Sequence, residues 1–549
     1  MQFTTMPPPL TRLVIISLVV WLLVVILMSG SFLRPGISED QITARVNRAL
    51  DELEDLKRQN TELRLVIQAL NGGKPIPQQE LRIAPPTDYE VHRRAAENDV
   101  RELWFFARAQ LDKLLKEAKG ADRDVFKRLR QGIYERQLSA LVNLDKMTRR
   151  DGYEMWRKQE AEDLQRIVLD RIRVLQNPAD CSSAKKLFCN LNKGCGYGCQ
   201  LHHATYCMIM AISMKRTLIL QSKGWRYNPR GYEDIFQPVS NSCIAETGGS
   251  RSKYPASGDE VVNLEMPIID GLIQKPDCLP LAVPKALVPR LSQLHANPAL
   301  WWISQIVGFL QRPQRGTSDF LKEVRDHHGI KGPYAGIHVR RTDKIGTEAD
   351  YHGIDEYMSW VAEYFDKYEA IHGPLDKRRV YIASDDASVL KDAAKLFPDY
   401  EFSGDQDIAK SAALKSRYSV ESLRGVIADI HMLAQSDYLV CTLSSQVCRV
   451  AFELMQLRYP DASQRCQSLD DIFYFGGQKD HDEEAIADNL QPDSGGEIAF
   501  KKGDIIGIAG NHWDGYSKGI NRRTKQRGLY PSFKTKEHVD AVDFGDFIL

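Results

Sequence analysis

The stretch Tyr334-Ala335-Gly336-Ile337-His338-Val339-Arg340-Arg341-Thr342-Asp343-Lys344-Ile345-Gly346-Thr347-Glu348 decides how the chain is read. A short apolar run from Tyr334 to Val339 reads as a strand, and it delivers His338, Arg340, Arg341 and Lys344, with Asp343 and Glu348, at its carboxyl exit. Open α/β sheets bind their ligands just beyond that end of their strands. Two adjacent arginines there can grip a diphosphate through forked, charge-assisted hydrogen bonds, more specifically than lysine can. The plain alternative is a surface salt-bridge cluster closed by Asp343 and Glu348.

Three further apolar runs have the same form: Thr217 to Gln221, Arg379 to Ser384 and Tyr438 to Thr442. Alternating with helical patterns from Cys181 onward, they predict an α/β domain. The run from Arg379 leads into Ser384-Asp385-Asp386, a pair of acids that either holds a divalent cation or caps the next helix through Asp386. The run from Tyr438 leads into Ser444-Ser445-Gln446 at a helix start, which is either a phosphate seat or an ordinary N-cap. Upstream, Lys193-Gly194-Cys195-Gly196-Tyr197-Gly198-Cys199 lets backbone approach a ligand closely, and a Cys195 to Cys199 bond could stiffen it. No H-E-x-x-H, G-x-S-x-G or kinase motif set occurs. The composite is a luminal enzyme that handles a nucleoside diphosphate without an obvious metal.

Outward from this region the chain becomes helical, then apolar. Ile42, Val46, Ala49, Leu53, Leu56, Asn60, Leu63, Ile67 and Leu70 alternate by four and three, a coiled coil whose polar a residue, Asn60, fixes a two-stranded register. Homodimerisation is expected; the alternative is a helix packed on its own domain. Leu13 to Leu33 is one apolar run, read as a membrane span or else as a signal peptide. A charged amphipathic region from Val91 to Leu175 reads as long helices broken near Lys119-Gly120 and Gly152. Beyond Gln478, an acidic linker leads to short strands punctuated by glycine and aromatic residues, a small β-barrel pattern.

Composition narrows the function classes. The 549 residues carry 73 Lys+Arg against 73 Asp+Glu, which excludes a protein that works by coating nucleic acid, and a mean hydropathy of −0.37 excludes a polytopic membrane protein. Ten cysteines fall in two clusters, seven from Cys181 to Cys278 and three from Cys441 to Cys466, as expected of a disulfide-stapled luminal region. Zinc ligation by Cys195, Cys199, His202 and His203 is the competing reading.

Together, Gly336 to Glu348, Ser384 to Asp386, Leu423 to His431 and Cys441 to Arg449 resemble the core α1,6-fucosyltransferases of N-glycan processing. The likeness extends from the apolar span to the C-terminal barrel, where Lys502 to Gly507 and Arg527 to Ser532 resemble the turn and last strand of an SH3-like domain. The resemblance implies a GT-B-like α/β catalytic region with a Rossmann-like nucleotide-binding half. It implies a 1–12 cytoplasmic tail, a 13–33 signal-anchor, a 38–71 coiled coil, an 88–176 helical stem, a 181–470 catalytic domain and a 479–541 SH3-like domain, in a type II Golgi membrane protein. The reaction expected is transfer of L-fucose from GDP-fucose to the 6-hydroxyl of the innermost GlcNAc of an N-glycan, inverting and with no metal or other cofactor.

Residue by residue, the resemblance places Arg340 on the β-phosphate beside Arg341, His338 and Asp429 on guanine, and Tyr227 stacked on the base. Gly196, Gly198, Ser445 and Gln446 lie near the diphosphate, Asp386 on the guanosine side, and Lys193 and Asp270 toward the acceptor. Glu348 is the expected base, with Lys344 steadying its proton. The implied disulfides are Cys181–Cys243, Cys189–Cys207, Cys195–Cys199 and Cys441–Cys448. The odd counts in the two clusters then predict a fifth bond between Cys278 and Cys466. The alternatives are a Golgi lectin or scaffold on the same fold, separable by GDP release, and a protein O-fucosyltransferase, separable by a glycan-free acceptor.

Overall fold

The computed structural model describes residues 84–244, 250–258, 260–341, 350–411, 417–490 and 496–545. The apolar run at 13–33, the heptad repeat at 38–71, and Lys344 and Glu348 lie outside the described residues. Among the described residues, no helix is long and apolar enough to cross a membrane.

Three helices open the described chain, α1 (Tyr89–Glu117), α2 (Gly120–Thr148) and α3 (Glu154–Gln176), so the two sequence breaks fall where expected. Gly152 sits at φ +81°, a left-handed turn that residues with a Cβ rarely adopt. Arg157 of α3 ties the stem together: Nε donates to Glu90 Oε1 of α1 at 2.8 Å, and Nη2 reaches Asp151. Glu90 is almost wholly buried, so this arginine is its compensation.

The α/β region contains two parallel sheets. The first is built from β1 (Lys186–Asn190), then α4 (Tyr197–Ser213) and β2 (Thr217–Gln221), and then β3 (Ser252–Lys253) and β4 (Asn263–Glu265), in the order β2-β1-β4-β3. Helix α5 (Pro298–Leu310) is apolar nearly all round and buried accordingly, with Asn297 capping it by accepting from Leu300 N–H at 2.8 Å.

After α6 (Arg315–His328) the second sheet begins. It comprises β5 (Tyr334–Val339), α7 (Ile354–His372), β6 (Arg378–Ser384), β7 (Tyr400–Ser403), α8 (Val420–Gln435), β8 (Tyr438–Cys441), α9 (Gln446–Met455) and β9 (Cys466–Ser468). All of its pairings are parallel and its order is β9-β8-β5-β6-β7. Counted along the chain this is 3-2-1-4-5, the doubly wound arrangement.

The last region is a five-stranded antiparallel sheet of β10 (Asp482–Ala485), β11 (Ile505–Asn511), β12 (Tyr516–Asn521), β13 (Arg527–Pro531) and β14 (Thr535–Glu537), in the order β13-β12-β11-β10-β14. Ala485, Ile498, Phe500, Ile506 and Tyr530 form its own core. Helix α1 joins it to the second sheet's helices: Phe105 stands edge-on to Trp360 of α7 at 5.6 Å and to Trp513 at 6.2 Å.

The four implied disulfides are present: Cys181–Cys243, Cys189–Cys207, Cys195–Cys199 and Cys441–Cys448. The fifth is not, which corrects the parity argument: Cys278 and Cys466 are free thiols. Cys278 packs against Met210 of α4, its sulfur 3.5 Å from the thioether, whereas Cys466 begins β9 beside Cys441 and Cys448. The two thiols therefore have different surroundings, one against helix α4 and one in β9. Burial pushes both upward in pKa, and a buried protonated thiol is inert enough to need no partner. Of the four residues of the zinc alternative, Cys195 and Cys199 are joined in a disulfide, His202 pairs with Glu453, and His203 Nε2 hydrogen-bonds Asn190 O and lies 3.7 Å from Cys189 Sγ.

Candidate active site

In the second sheet the chain order reverses between β5 and β8, so a crevice opens beyond the carboxyl ends of these two strands. Arg340 and Arg341 leave β5 at this point, and Thr442 to Gln446 leave β8. Backbone topology alone thus brings the two most suggestive motifs to one edge.

Asp385, at the end of β6, organises the arginines. Arg340 Nη1 donates to its Oδ2, and the Arg341 backbone N–H donates to Oδ1 at 2.8 Å. The guanidinium of Arg341 lies over the Tyr351 ring, 3.9 Å from its centroid. The two adjacent acids have different tasks: Asp386 accepts from Ser388 N–H at 2.9 Å, capping the following helical turn, while Asp385 faces the arginines. His338 is buried, and burial with the neighbouring Arg340 charge holds its imidazole below the usual value, with Asp385 opposing. It is therefore neutral near pH 7.

Ser445 is the N-cap of α9, yet its side chain makes no capping hydrogen bond, so the hydroxyl is not committed to its own helix. Among the described residues, four buried polar atoms on this edge have no hydrogen-bond partner: His338 Nδ1, Arg341 Nη1, Thr442 Oγ1 and Gln446 Oε1. Such atoms are costly unless a polar ligand meets them. Two of them, Arg341 Nη1 and the Thr442 hydroxyl, are donors and with the α9 N-terminus suit an anion.

The first sheet contributes the glycine loop. A Cβ on Gly198 would lie 2.9 Å from Gln446 Cβ, so this close approach of α4 to α9 requires glycine. Gln200 braces the loop, donating from Nε2 to Lys193 O at 2.6 Å and Cys195 O at 2.9 Å. Gly196 caps α4, and Lys193 pairs with Asp270 at 2.7 Å. Tyr227 is 3% exposed and stands edge-on to Tyr418, centroids 5.1 Å apart. Tyr418 itself is exposed and carries Arg226 over its ring at 4.9 Å.

Asp429 is on α8, which packs against β5 and β6. Its Oδ1 accepts from the Tyr381 hydroxyl at 2.7 Å. Burial, opposed by that hydrogen bond and reinforced by Asp405, pushes its carboxyl up to about 7. The sequence reading missed Asp385 as the arginine partner, Tyr351, Tyr381 and Tyr418. Only Asp385 carried a signal, as one member of an adjacent acidic pair. Lys344 and Glu348 belong to segment 342–349, outside the described residues.

Residues 2–474 match the family described as Alpha-(1,6)-fucosyltransferase N- and catalytic domains. A Drosophila melanogaster protein named Alpha-(1,6)-fucosyltransferase is 47% identical over 463 residues, covering 83% of this chain and 74% of that protein. A Caenorhabditis elegans protein of the same name is 39% identical over 472 residues, covering 84% and 81%. Among solved structures, the fucosyltransferase NodZ from Bradyrhizobium aligns at 14% identity with a TM-score of 0.31, covering 49% of this chain and 92% of that one.

Proposed function

The chain belongs to the α-(1,6)-fucosyltransferase family, and on that premise we propose that it transfers L-fucose from GDP-fucose to the 6-hydroxyl of the innermost, Asn-linked GlcNAc of an N-glycan, with inversion and without a metal. The observation that carries the donor half is the meeting of Arg340, Arg341 and Asp385 with the Ser445-Gln446 helix start at the β5/β8 reversal.

In this reading the diphosphate lies across that edge. Arg340, aligned by Asp385, and the N-terminus of α9 stabilise the negative charge that grows on departing GDP. Asp429 accepts from guanine N1–H and N2–H2, and Tyr227 with Tyr418 supplies aromatic surface for the base. The acceptor 6-oxygen attacks fucose C1 on the face opposite GDP, the C1–O bond breaks with its electron pair passing to the diphosphate, and the proton goes to Glu348. Lys193 and Asp270 face the acceptor. The engagement of Asp385 by two arginine donors supports a metal-free reading, because those oxygens are already committed to cations and N–H groups.

The remaining assignments complete the proposal: a signal-anchor at 13–33 in a type II Golgi protein, homodimerisation through the 38–71 coiled coil, and an SH3-like identity for the five-stranded C-terminal region. The test incubates the protein with GDP-fucose and a GlcNAc-terminated biantennary glycopeptide in buffer with and without EDTA. One added deoxyhexose on the innermost GlcNAc in both buffers is expected. Fucose on a glycan-free acceptor only, or turnover lost in EDTA, would overturn the acceptor or the metal-free part respectively.

A further inference from the structure

Tyr381 is wholly buried in β6, and its one described hydrogen bond runs to a carboxylate rather than to backbone. The neighbouring core tyrosine of β5 behaves otherwise: Tyr334 donates to Met432 O of α8 at 2.6 Å. The Tyr381 ring is also held from a third element. His328 of α6 stands edge-on to it at 5.1 Å and is itself hydrogen-bonded through Nδ1 to the Ser403 hydroxyl at 2.7 Å. A strand, a helix and a ring contact thus fix one phenol oxygen against Asp429 Oδ1.

Asp429 is 8% exposed, and the charged group acting on it among the described residues is Asp405, another acid. A buried carboxylate facing an acid and a hydroxyl is an expensive structural element. It suits a ligand that brings its own neutral donors. A carboxylate offers about four lone-pair sites, and Tyr381 takes one, leaving the others for two parallel N–H groups.

Resting on the reading that Asp429 meets the guanine edge, we propose that Tyr381 is a positioning residue for donor recognition: it holds the Asp429 carboxylate in the one rotation that accepts guanine N1–H and N2–H2 together, and so sets the preference for guanine over hypoxanthine. Without the hydroxyl the carboxylate turns freely and the two-point match is lost. Chemistry at fucose C1 is remote from this contact, so the effect falls on KM rather than kcat.

The experiment compares GDP-fucose with IDP-fucose, which lacks the 2-amino donor, on wild type, Tyr381→Phe, Asp429→Glu and Asp429→Asn. For Tyr381→Phe, KM for GDP-fucose is expected to rise about tenfold with kcat nearly unchanged, and the guanine preference to shrink by a similar factor. Asp429→Glu, which moves the carboxylate off the hydroxyl, should lose preference in the same way and keeps the test open if Tyr381→Phe does not fold. Wild-type KM and preference in Tyr381→Phe, with preference lost in Asp429→Asn, would overturn the positioning role alone. Guanine preference intact in Asp429→Asn would overturn the underlying assignment of Asp429. Equal losses for both donors with a lowered Tm would make Tyr381 merely structural and overturn the proposal.

Discussion

Arg340 and Asp385, 45 residues apart in sequence, are joined across the carboxyl ends of β5 and β6: the arginine's Nη1 donates to Oδ2 of the aspartate, whose other oxygen takes the Arg341 N–H. Adjacent parallel strands bring them together, and Ser384 ties the strand ends by donating to Val339 O at 2.8 Å. The arginine is therefore aimed before any donor arrives, which is how a fixed charge stabilises a leaving group without paying for reorganisation.

Arg340→Ala should lower kcat about 10²–10³-fold and also lower Tm modestly with the fold intact, because it takes the Arg340 charge away from the buried Asp385 carboxylate. Asp385→Asn should cost less, about tenfold, and act through a misaligned arginine. Steady-state GDP release with thermal melts on both variants checks the ranking; an Asp385→Asn loss as large as that of Arg340→Ala would contradict it.

Gly198 is one of the contact points between α4 and α9. Gly198→Val must displace Gln446 backbone and side chain by several tenths of an ångström, since even a Cβ would approach to 2.9 Å. The expected result is a several-fold rise in KM for GDP-fucose and a loss of about 1–3 kcal/mol in denaturant unfolding. An unchanged KM with lowered stability would separate packing from donor binding at this position.

Much of the architecture was legible because apolar strands and charged exits alternate sharply. Thr217–Gln221 and Tyr334–Val339 match their predicted bounds, and the other two differ by one residue at an end. Tyr400–Ser403 and Cys466–Ser468 were not legible because Tyr400-Glu401-Phe402-Ser403 and Cys466-Gln467-Ser468 carry too few apolar residues to make a pattern, and Lys186–Asn190, as long as Thr217–Gln221, lacks its β-branched residues. The adjacent acids Asp385 and Asp386 look alike in sequence, and only the turn after β6 decides which one faces an arginine. Tyr381 and Asp429, from a strand and a helix 48 residues apart, carry no mutual signal in one sequence. Cysteine parity misled because it presumes that every thiol seeks a partner, whereas Cys278 is buried against Met210 and Cys466, half-buried, lies beside the Cys441–Cys448 pair instead.

In the proposed contact with guanine, Asp429 would make donor affinity pH-dependent. In the free protein its carboxyl sits near 7, chiefly through burial, whereas guanine's two donors require the carboxylate. Nucleotide binding must therefore expel a proton below that pH. GDP affinity should weaken about tenfold from pH 8 to pH 6, with proton release visible as a buffer-dependent enthalpy in calorimetry. Asp429→Asn should bind weakly at both values and release no proton. A flat affinity in wild type across this range would contradict the assignment.

Glu102 of α1 predicts an opposite lever on stability. It is buried where the stem meets the C-terminal sheet, and burial together with Glu483, Asp514 and Asp99 pushes its carboxyl from 4.5 up to about 7. The folded chain holds this proton more tightly than the unfolded chain does. Stability contributed by protonation is thus complete below about 4.5 and is lost as pH rises through about 7. Above that point the chain carries a buried anion among acids, with Glu102 Oε2 lacking a hydrogen-bond partner among the described residues. Glu102→Gln removes the charge and keeps the shape, so it should stabilise the protein by about 1–2 kcal/mol at pH 8 and make little difference at pH 5. Chemical denaturation at the two pH values checks this. Equal effects at both would assign the change to packing, and a loss at pH 8 would mean that the carboxylate is compensated where α1 meets the sheet.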